Sequence, residues 1–206
     1  MSTRRYHSPR RGDAAAETRE AILSSAHDLF LARGYTGVTI GQIAEAAGVA
    51  APTVYSSVGN KPSILVTLMQ PPLTDPTLGE ILTELEACGD PRGVIDLTAR
   101  GTRRMHERHW DLIYGIFYRD PPGEPAVKAV LDSGANDYAQ RLGRVADRLV
   151  ALDGLRAGLT RESALDVLWF CLGPHAWITL VGERSWTFDR AQEWIADCAR
   201  RELLKD

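Results

Sequence analysis

Small and polar side chains recur along residues 51–57, a segment with the spacing of one short helix. Hydroxyl groups can hydrogen-bond phosphate oxygens and base edges. A helix with a small outer face also fits the major groove of DNA, which is about 12 Å wide. The segment therefore predicts a helix that reads nucleic acid. Its outward residues are Ala51, Pro52, Thr53, Tyr55, Ser56 and Ser57.

A second set of residues predicts how that helix is held. Thr39 can cap a preceding helix over residues 40–47, and Gly48 can supply the positive φ of a tight turn. The small Ala44 lets two helices cross closely, and Pro52 falls in the first turn of the second helix, where its missing N–H costs nothing. The pattern predicts a helix-turn-helix. The residues expected to face inward are Ile43, Ala47, Val49, Val54 and Val58.

The rest of the chain also has helical periodicity, and alternating β-branched runs are almost absent. Gly34 is expected to end the first helix, Pro71–Pro72 to end the fourth, and Pro174 to kink the eighth. The chain is therefore expected to be all-α, with an N-terminal three-helix helix-turn-helix domain followed by a larger helical domain. About nine helices are predicted, near 17–33, 40–47, 51–58, 61–71, 92–107, 110–118, 124–152, 161–183 and 189–204.

The composition is ordinary for a globular protein, because 44% of the 206 residues are hydrophobic and 25% are charged. Residues 1–61 contain seven Lys and Arg against five Asp and Glu, whereas the remainder contains 17 against 22. A weakly basic head joined to an acidic body suits local contact with a polyanion. The most apolar stretch, 167–181, is shorter than the roughly 20 residues of a spanning helix, and no signal peptide is evident. A cytoplasmic protein is therefore expected.

The spaced pattern near the N-terminus resembles the signature of the TetR/AcrR family of transcriptional regulators. The resemblance covers about 45 residues and implies a DNA-binding domain at 17–61, preceded by a flexible basic arm at 1–16. It further implies a helical ligand-binding and dimerisation domain at 62–206. The matching residues are Arg19, Ile22, Leu23, Leu29, Phe30, Gly34, Tyr35, Thr39, Ile40, Ile43, Ala44, Ala47, Gly48, Val49, Thr53, Val54, Tyr55 and Lys61.

The resemblance implies a role for each residue of the DNA-binding face. Thr39, Tyr55 and Lys61 are expected to hold backbone phosphates, and Pro52 and Thr53 to touch base edges. Few hydrogen bonds to bases are expected, because several positions of this face lack a side chain that could make one. Gly41 and Ala51 offer no donor, Ala50 and Ser57 replace the usual Ser and His, and Val58 replaces Phe while keeping an apolar plug. The complete expected face is Thr39, Gly41, Ala51, Pro52, Thr53, Tyr55, Ser56, Ser57 and Lys61.

Four arginines, Arg4, Arg5, Arg10 and Arg11, lie within the first eleven residues. Basic arms of this kind can follow a DNA minor groove. A solvated N-terminal tail explains the same residues equally well. Both interpretations stay open at this point.

A ligand-responsive regulator must bind its effector, and a small-molecule pocket is expected among the later helices. An aromatic stripe from Trp110 to Tyr118 suggests its wall, although stripes at helical spacing more often form core. His106 and His109 have a spacing that could place both on a metal, but no further ligands are evident, so neither a metal nor a cofactor is expected. The residues expected to line the pocket are Arg103, His106, Trp110, Tyr114, Phe117, Trp169, Phe170 and His175.

The last two helices carry more apolar surface than one helix pair needs, and the resemblance implies that they form a homodimer across a two-fold axis. An intrachain core remains an alternative for individual residues. The expected dimer residues are Leu165, Leu168, Leu172, Trp177, Ile178, Val181, Trp194, Ile195, Ala199 and Leu203.

The function expected from these features is that of a ligand-responsive repressor that leaves a palindromic operator when a small molecule binds. The helix from 61 to about 70 is the expected hinge. A DNA-binding activator or architectural protein without a ligand is the alternative. A helical enzyme is a weaker one, because no catalytic motif is present.

Overall fold

The computed structural model describes residues 9–120 and 123–205. Over these residues the chain forms ten α-helices and two π-helical segments, with one isolated bridge between Leu155 and Leu204. The predicted all-α fold is confirmed. The helices are α1 (Pro9–Arg33), α2 (Ile40–Ala46), α3 (Ala51–Ser57), α4 (Lys61–Leu73), α5 (Thr77–Ala87), α6 (Pro91–Arg108), the first π-helical segment (Asp111–Tyr118), α7 (Pro125–Ala151), α8 (Arg161–Leu172), α9 (Pro174–Trp177), the second π-helical segment (Ile178–Glu183) and α10 (Phe188–Leu203).

The chain divides into two compact units. Unit 1 contains the residues up to Gln70 together with Gly115–Lys128, and unit 2 contains Pro71–Tyr114 and Ala129–Asp206. The chain therefore passes between the units three times. The expected boundary after residue 61 differs from this division, since the first ten residues of α4 belong with unit 1. Sequence reasoning also had no signal that a segment from the middle of the chain returns to unit 1.

Two elements around residue 75 differ from expectation. Helix α4 continues through Pro71 and Pro72 to Leu73, because a proline in a last turn costs fewer hydrogen bonds than one in a helix interior. Helix α5 was not predicted, although Ile81, Leu82 and Leu85 are buried at helical spacing. Prolines at 71, 72 and 76 precede α5, and they made its helical periodicity hard to recognise in the sequence.

The predicted kink at Pro174 is a complete break. Gly173 is extended, with φ −72° and ψ 169°, and it separates α8 from α9. By length and composition alone, Arg161–Glu183 is apolar enough to cross a membrane. Part of it is buried within the fold, as in the core helix of a soluble protein, since Leu168 and Trp177 have no exposed surface.

Candidate DNA-binding site

Helices α2 and α3 of unit 1 form the predicted helix-turn-helix. The Thr39 hydroxyl accepts a hydrogen bond from the Gln42 N–H at 3.3 Å, and the Gln42 side chain accepts one from the Thr39 N–H at 2.9 Å. This reciprocal cap fixes where α2 begins. Gly48 has φ +67°, and the Val49 N–H donates to the Ala44 carbonyl at 2.9 Å. Gly48 therefore makes the turn that its position predicted.

The inner face of the motif is closed by apolar side chains. Ile43 and Val54 have no exposed surface and Ala44 is buried, whereas Ala47, Val49 and Val58 are half-buried. The Arg19 guanidinium of α1 donates to the Ser57 carbonyl at 2.6 Å. This bond satisfies a carbonyl at the end of α3 and holds that helix against α1. No role for Arg19 followed from the sequence beyond its place in the motif.

The outer face of the motif exposes most of the predicted contact residues. Thr39, Gly41, Pro52 and Ser56 are exposed, and Tyr55 keeps 56% of its surface exposed. Ala51, Thr53 and Ser57 are half-buried.

Some hydroxyl groups of this face already donate a hydrogen bond within the protein, and others do not. Ser56 donates to the Thr53 carbonyl at 3.1 Å, and Thr39 donates to the Gln42 side chain at 3.2 Å. The Tyr55 hydroxyl has no such partner among the described residues. The hydroxyls of Thr53 and Ser57 also have no such partner, but both residues are half-buried, so Tyr55 is the exposed hydroxyl of this face that is free to donate to a phosphate.

Lys61 is held at the start of α4 by an aromatic ring. Its Nζ lies 4.2 Å from the ring centroid of Tyr35, which is buried and whose hydroxyl donates to Glu124 Oε1 at 2.8 Å. Partial burial lowers the pKa of Lys61 below its usual value, although Glu124 and Asp120 act in the opposite direction. The ammonium is thus partly fixed in position within unit 1.

Residues 115–128, here called the returning segment, are bonded to the turn between α1 and α2. Asp120 Oδ2 accepts from the Thr36 N–H at 2.9 Å and from the Thr36 hydroxyl at 3.1 Å. Gly34 has φ +75°, and a Cβ there would lie 2.9 Å from the same carboxylate oxygen. A glycine at position 34 therefore allows both the positive φ that ends α1 and the close approach of the Asp120 carboxylate. Sequence reasoning missed this contact because nothing local links residues so far apart.

The N-terminal arm differs in part from expectation. Arg4 and Arg5 lie outside the described residues. Arg10 and Arg11 fall in the first turn of α1, which begins at Pro9 and not near residue 17. The alanines at 14–16 favour a helix, which explains the earlier start.

A small cavity of about 20 Å³ lies in unit 2 between α5, α6 and α7. None of the eight residues expected from the sequence lines it, and the identity of the effector-binding residues stays a prediction. Its wall consists of Ile81, Leu82, Leu85, Thr98, Thr102, Tyr138, Arg141, Leu142 and Val145.

The expected aromatic wall is partly buried, and Trp110 and Trp169 pack against the core of unit 2. Trp110 stacks on Tyr114 at 5.0 Å between ring centroids, and the Tyr114 hydroxyl donates to the Gly182 carbonyl at 3.0 Å. Phe117 belongs to unit 1, whereas Trp110 and Tyr114 belong to unit 2. Trp169 packs edge-on against Tyr138 at 5.9 Å.

The remaining residues expected to line the pocket are exposed or are bonded to other groups. Phe170 and His175 are exposed, and Arg103 pairs with Glu107 and Asp189. His106 is fully buried, and its Nδ1 lies 2.7 Å from the Thr102 carbonyl oxygen. Burial lowers the pKa of His106 to about 4, so its ring is neutral near pH 7.

His106 and His109 do not share a site. His109 Nε2 lies 2.7 Å from Asp75 Oδ2, and Arg108 donates to the same oxygen at 3.0 Å. The Thr77 N–H donates to Asp75 Oδ1 at 2.8 Å. Burial acts to raise the pKa of Asp75, but Thr77, His109 and Arg108 together lower it to about 2. Across the described residues, no group of three or more His, Cys, Asp or Glu could hold a metal ion.

Most of the expected dimer residues are core residues of unit 2. They are buried within a single chain, which favours the intrachain alternative, and their part in a dimer stays a prediction. These residues are Leu168, Leu172, Trp177, Ile178, Ile195, Ala199 and Leu203. Leu165 and Val181 are half-buried, and Trp194 is 45% exposed.

The fold and the exposed helix-turn-helix face define an all-α protein of the DNA-binding regulator class. Residues 22–67 match the family of bacterial regulatory proteins described as the tetR family. Residues 22–67 are therefore a domain of the TetR family of transcriptional regulators.

Solved structures show the same fold at low sequence identity. NalD, the secondary repressor of the MexAB-OprM multidrug efflux pump in Pseudomonas aeruginosa, is 21% identical, with 94% of this chain and 99% of that chain covered and a TM-score of 0.71. FadR from Bacillus subtilis, in complex with stearoyl-CoA, is 13% identical, with 89% and 98% covered and a TM-score of 0.69. PfmR from Thermus thermophilus is 19% identical, with 91% and 98% covered and a TM-score of 0.65. No curated protein sequence is a significant match to the chain.

Proposed function

We propose that the chain is a ligand-responsive repressor that binds a palindromic operator as a cytoplasmic homodimer. The observation that carries this proposal is the helix-turn-helix of unit 1, with Pro52 and Tyr55 exposed on the face that would enter a major groove. Two such heads about one helical turn apart, roughly 34–36 Å, would read both halves of a palindrome.

The proposed DNA contacts divide by chemistry. Tyr55 and Lys61 hold phosphates, which fixes the register of α3 on the duplex. Pro52 and Thr53 meet base edges and can pack on a thymine methyl. Gly41 and Ala51 bring the backbone close without adding donors, so much of the specificity comes from the shape of the operator. Thr39 supports this face mainly as the cap of α2, because its hydroxyl is engaged by Gln42.

The proposed effector site is the pocket between α5, α6 and α7. It encloses only about 20 Å³, so an effector would have to widen it on binding. A bound effector would bias unit 1 through chain segments that run from one unit into the other: α4, the first π-helical segment and α7. Coupling of about 1–3 kcal/mol would weaken operator binding about 5–150-fold.

The proposed dimer surface uses the apolar side chains that α8 and α10 leave exposed. Phe170 is 79% exposed and Trp194 is 45% exposed, and large apolar groups at such exposure favour a protein interface. Leu165 and Val181 are half-buried and are proposed to contribute to this surface. Replacing Phe170 by Glu should convert a dimer to a monomer in sedimentation equilibrium, whereas Val150→Glu, at another exposed apolar position, should not.

Capture of sheared host DNA at about 0.15 M salt tests the proposal directly, because non-specific phosphate binding is weak at that salt concentration. A palindrome shared by the retained fragments supports the proposal. Retention of random fragments contradicts sequence-specific regulation. A palindrome that no compound releases supports instead an activator or architectural protein without a ligand.

A further inference from the structure

The Lys61 ammonium rests on the face of the Tyr35 ring, with 4.2 Å between Nζ and the ring centroid. No carboxylate lies within ion-pair distance of it in the described part of the chain. An ammonium has three N–H donors, and a ring face attracts its charge without accepting a conventional hydrogen bond. The donors of Lys61 are therefore available to an oxygen that can reach them.

The Glu124 carboxylate has one oxygen that is hydrogen-bonded and one that is not. Glu124 Oε1 accepts from the Tyr35 hydroxyl at 2.8 Å, whereas Glu124 Oε2 is buried and has no hydrogen-bond partner among the residues that the structure describes. A buried carboxylate oxygen without a donor is unfavourable. Tyr35 cannot satisfy it, because a phenol has a single O–H. Glu124 can therefore still accept from a cation.

Lys61 and Glu124 attract each other across this part of unit 1. Partial burial lowers the pKa of Lys61, whereas Glu124 and then Asp120 act to raise it. Asp120 Oδ2 already accepts two hydrogen bonds from Thr36, so Glu124 is the carboxylate of the two with an unused buried oxygen. Tyr35 contacts both charges, because the face of its ring holds the ammonium and its hydroxyl holds the carboxylate. It therefore holds the two charges apart.

We propose that Tyr35 is a positioning residue for DNA binding: its hydroxyl keeps the Glu124 carboxylate away from Lys61, which leaves the ammonium free to bind a phosphate. Tyr35 has 1% of its surface exposed, so it acts through Lys61 and not by touching DNA itself. An ammonium already paired with a carboxylate would bind a phosphate less strongly, because it would first have to give up that ion pair. This inference rests on the proposed phosphate contact of Lys61.

Tyr35→Phe isolates the hydroxyl, because phenylalanine keeps the ring on which Lys61 rests. Without the hydroxyl both oxygens of Glu124 lack a donor, and Glu124 should capture the Lys61 ammonium. Adding Glu124→Gln to Tyr35→Phe removes the charge that would capture it, so Lys61 should return to the ring. Thr36→Val is the matched control, because it removes a hydroxyl that donates to a carboxylate of the same returning segment, at 3.1 Å, and leaves the bond between Tyr35 and Glu124 in place.

The position of Lys61 can be followed without DNA, by NMR of the full chain with labelled lysine. The sequence has three lysines, Lys61, Lys128 and Lys205, and the signal that disappears in Lys61→Met identifies Lys61. Protons above an aromatic ring are shifted upfield by its ring current, so the Lys61 side-chain protons should lie upfield of those of the other two lysines. This shift should be lost in Tyr35→Phe and kept in Thr36→Val and in the double variant. A Lys61 shift that is the same in Tyr35→Phe as in the unchanged chain would overturn the proposal.

The effect on DNA is measured as the salt dependence of binding to a short duplex of random sequence, for which phosphate contacts supply the affinity. Tyr35→Phe should lower the slope of log K against log salt by about 0.9 for each Lys61 contact that is lost. In a chain that already carries Glu124→Gln, the same change should have no effect, and Thr36→Val should leave the slope as it is. A slope that Tyr35→Phe lowers equally with and without Glu124→Gln would contradict the proposal, because the hydroxyl would then act on the fold and not through Glu124.

The phosphate contact and this inference fail in different ways. An unchanged slope in Lys61→Met contradicts the phosphate contact, and the NMR comparison then decides whether Tyr35 separates Glu124 from Lys61. A lower slope in Lys61→Met, together with an unchanged slope in Tyr35→Phe, contradicts the inference and leaves the phosphate contact intact.

Discussion

Asp120 accepts two hydrogen bonds from Thr36, one from its N–H at 2.9 Å and one from its hydroxyl at 3.1 Å. The two residues are 84 positions apart in the sequence. They tie the returning segment to the turn that precedes the helix-turn-helix. The returning segment is continuous with the first π-helical segment and with α7, both of which extend into unit 2. This bond therefore gives the returning segment a fixed attachment within the DNA-binding unit.

Replacing Asp120 by Ala should reduce the free energy of unfolding by about 1–3 kcal/mol, because the Thr36 donors lose a charged acceptor. Urea unfolding followed by circular dichroism measures this. Asp137→Ala, an exposed carboxylate on α7 with no ion pair among the described residues, is the control and should change stability by less than about 0.5 kcal/mol. Equal stability of both variants would show that the Thr36 contact contributes nothing.

Replacing Tyr55 by Phe should weaken operator binding about fivefold without changing stability. The ring of Tyr55 is 56% exposed and its hydroxyl has no hydrogen-bond partner within the described residues, so the change removes one donor and little else. A neutral hydrogen bond contributes about 1 kcal/mol, which corresponds to this factor. Anisotropy titrations of an operator fragment measure the change. Tyr118→Phe is a matched control at a tyrosine outside the helix-turn-helix, and operator affinity should not respond to it.

Replacing Lys61 by Met should lower the salt dependence of operator binding. One lost phosphate contact reduces the slope of log K against log salt by about 0.9. Methionine keeps an unbranched side chain that can still pack on the Tyr35 ring, so the fold of unit 1 should persist. Titrations from low to moderate salt give the slope. An unchanged slope, with weaker binding at every salt concentration, would mean that Lys61 acts through packing and not through a phosphate.

The sequence predicted best what depends on neighbouring residues. The cap at Thr39, the turn at Gly48 and the inward positions of Ile43 and Val54 are local consequences of residue type, and the structure has each of them. What depends on long-range packing was not predictable in the same way. Which apolar residues of α8 and α10 form core and which stay exposed depends on neighbours that are distant in the chain.

The pocket illustrates the same limit. The aromatic stripe from Trp110 to Phe117 has the spacing of one α-helical face, but the boundary between the units falls after Tyr114, so the stripe is divided between them. The actual wall includes Ile81 and Leu85 of α5, a helix that the prolines around residue 72 concealed.

Replacing Asp75 by Asn should destabilise the chain near neutral pH, with an effect that disappears in acid. The pKa of Asp75 is lowered from 3.8 to about 2, so the ionised carboxylate stabilises the folded state. This contribution is fully present above the unfolded pKa and is lost as the pH falls from about 4 to about 2. The shift corresponds to about 2 kcal/mol. Urea unfolding of both proteins from pH 6 downward measures the difference, and a difference that stays constant below pH 4 would contradict this origin.

Replacing Ala50 by Ser should stabilise the helix-turn-helix. Ala50 is the N-cap of α3 and provides no side-chain hydrogen bond, and Pro52 has no N–H to be capped. The Thr53 N–H, which donates to the Ala50 carbonyl at 2.9 Å, can also donate to a serine hydroxyl at position 50. A serine cap in place of alanine contributes about 1 kcal/mol.

The melting temperature of the full chain should therefore rise by about 2–4 °C. Ala51→Ser places the same hydroxyl one residue later, inside the helix, where it cannot cap and where serine is a weaker helix former than alanine. It should leave the melting temperature unchanged or lower it. An equal rise in both variants would mean that a hydroxyl stabilises α3 at either position, and that the missing cap at position 50 is not the cause.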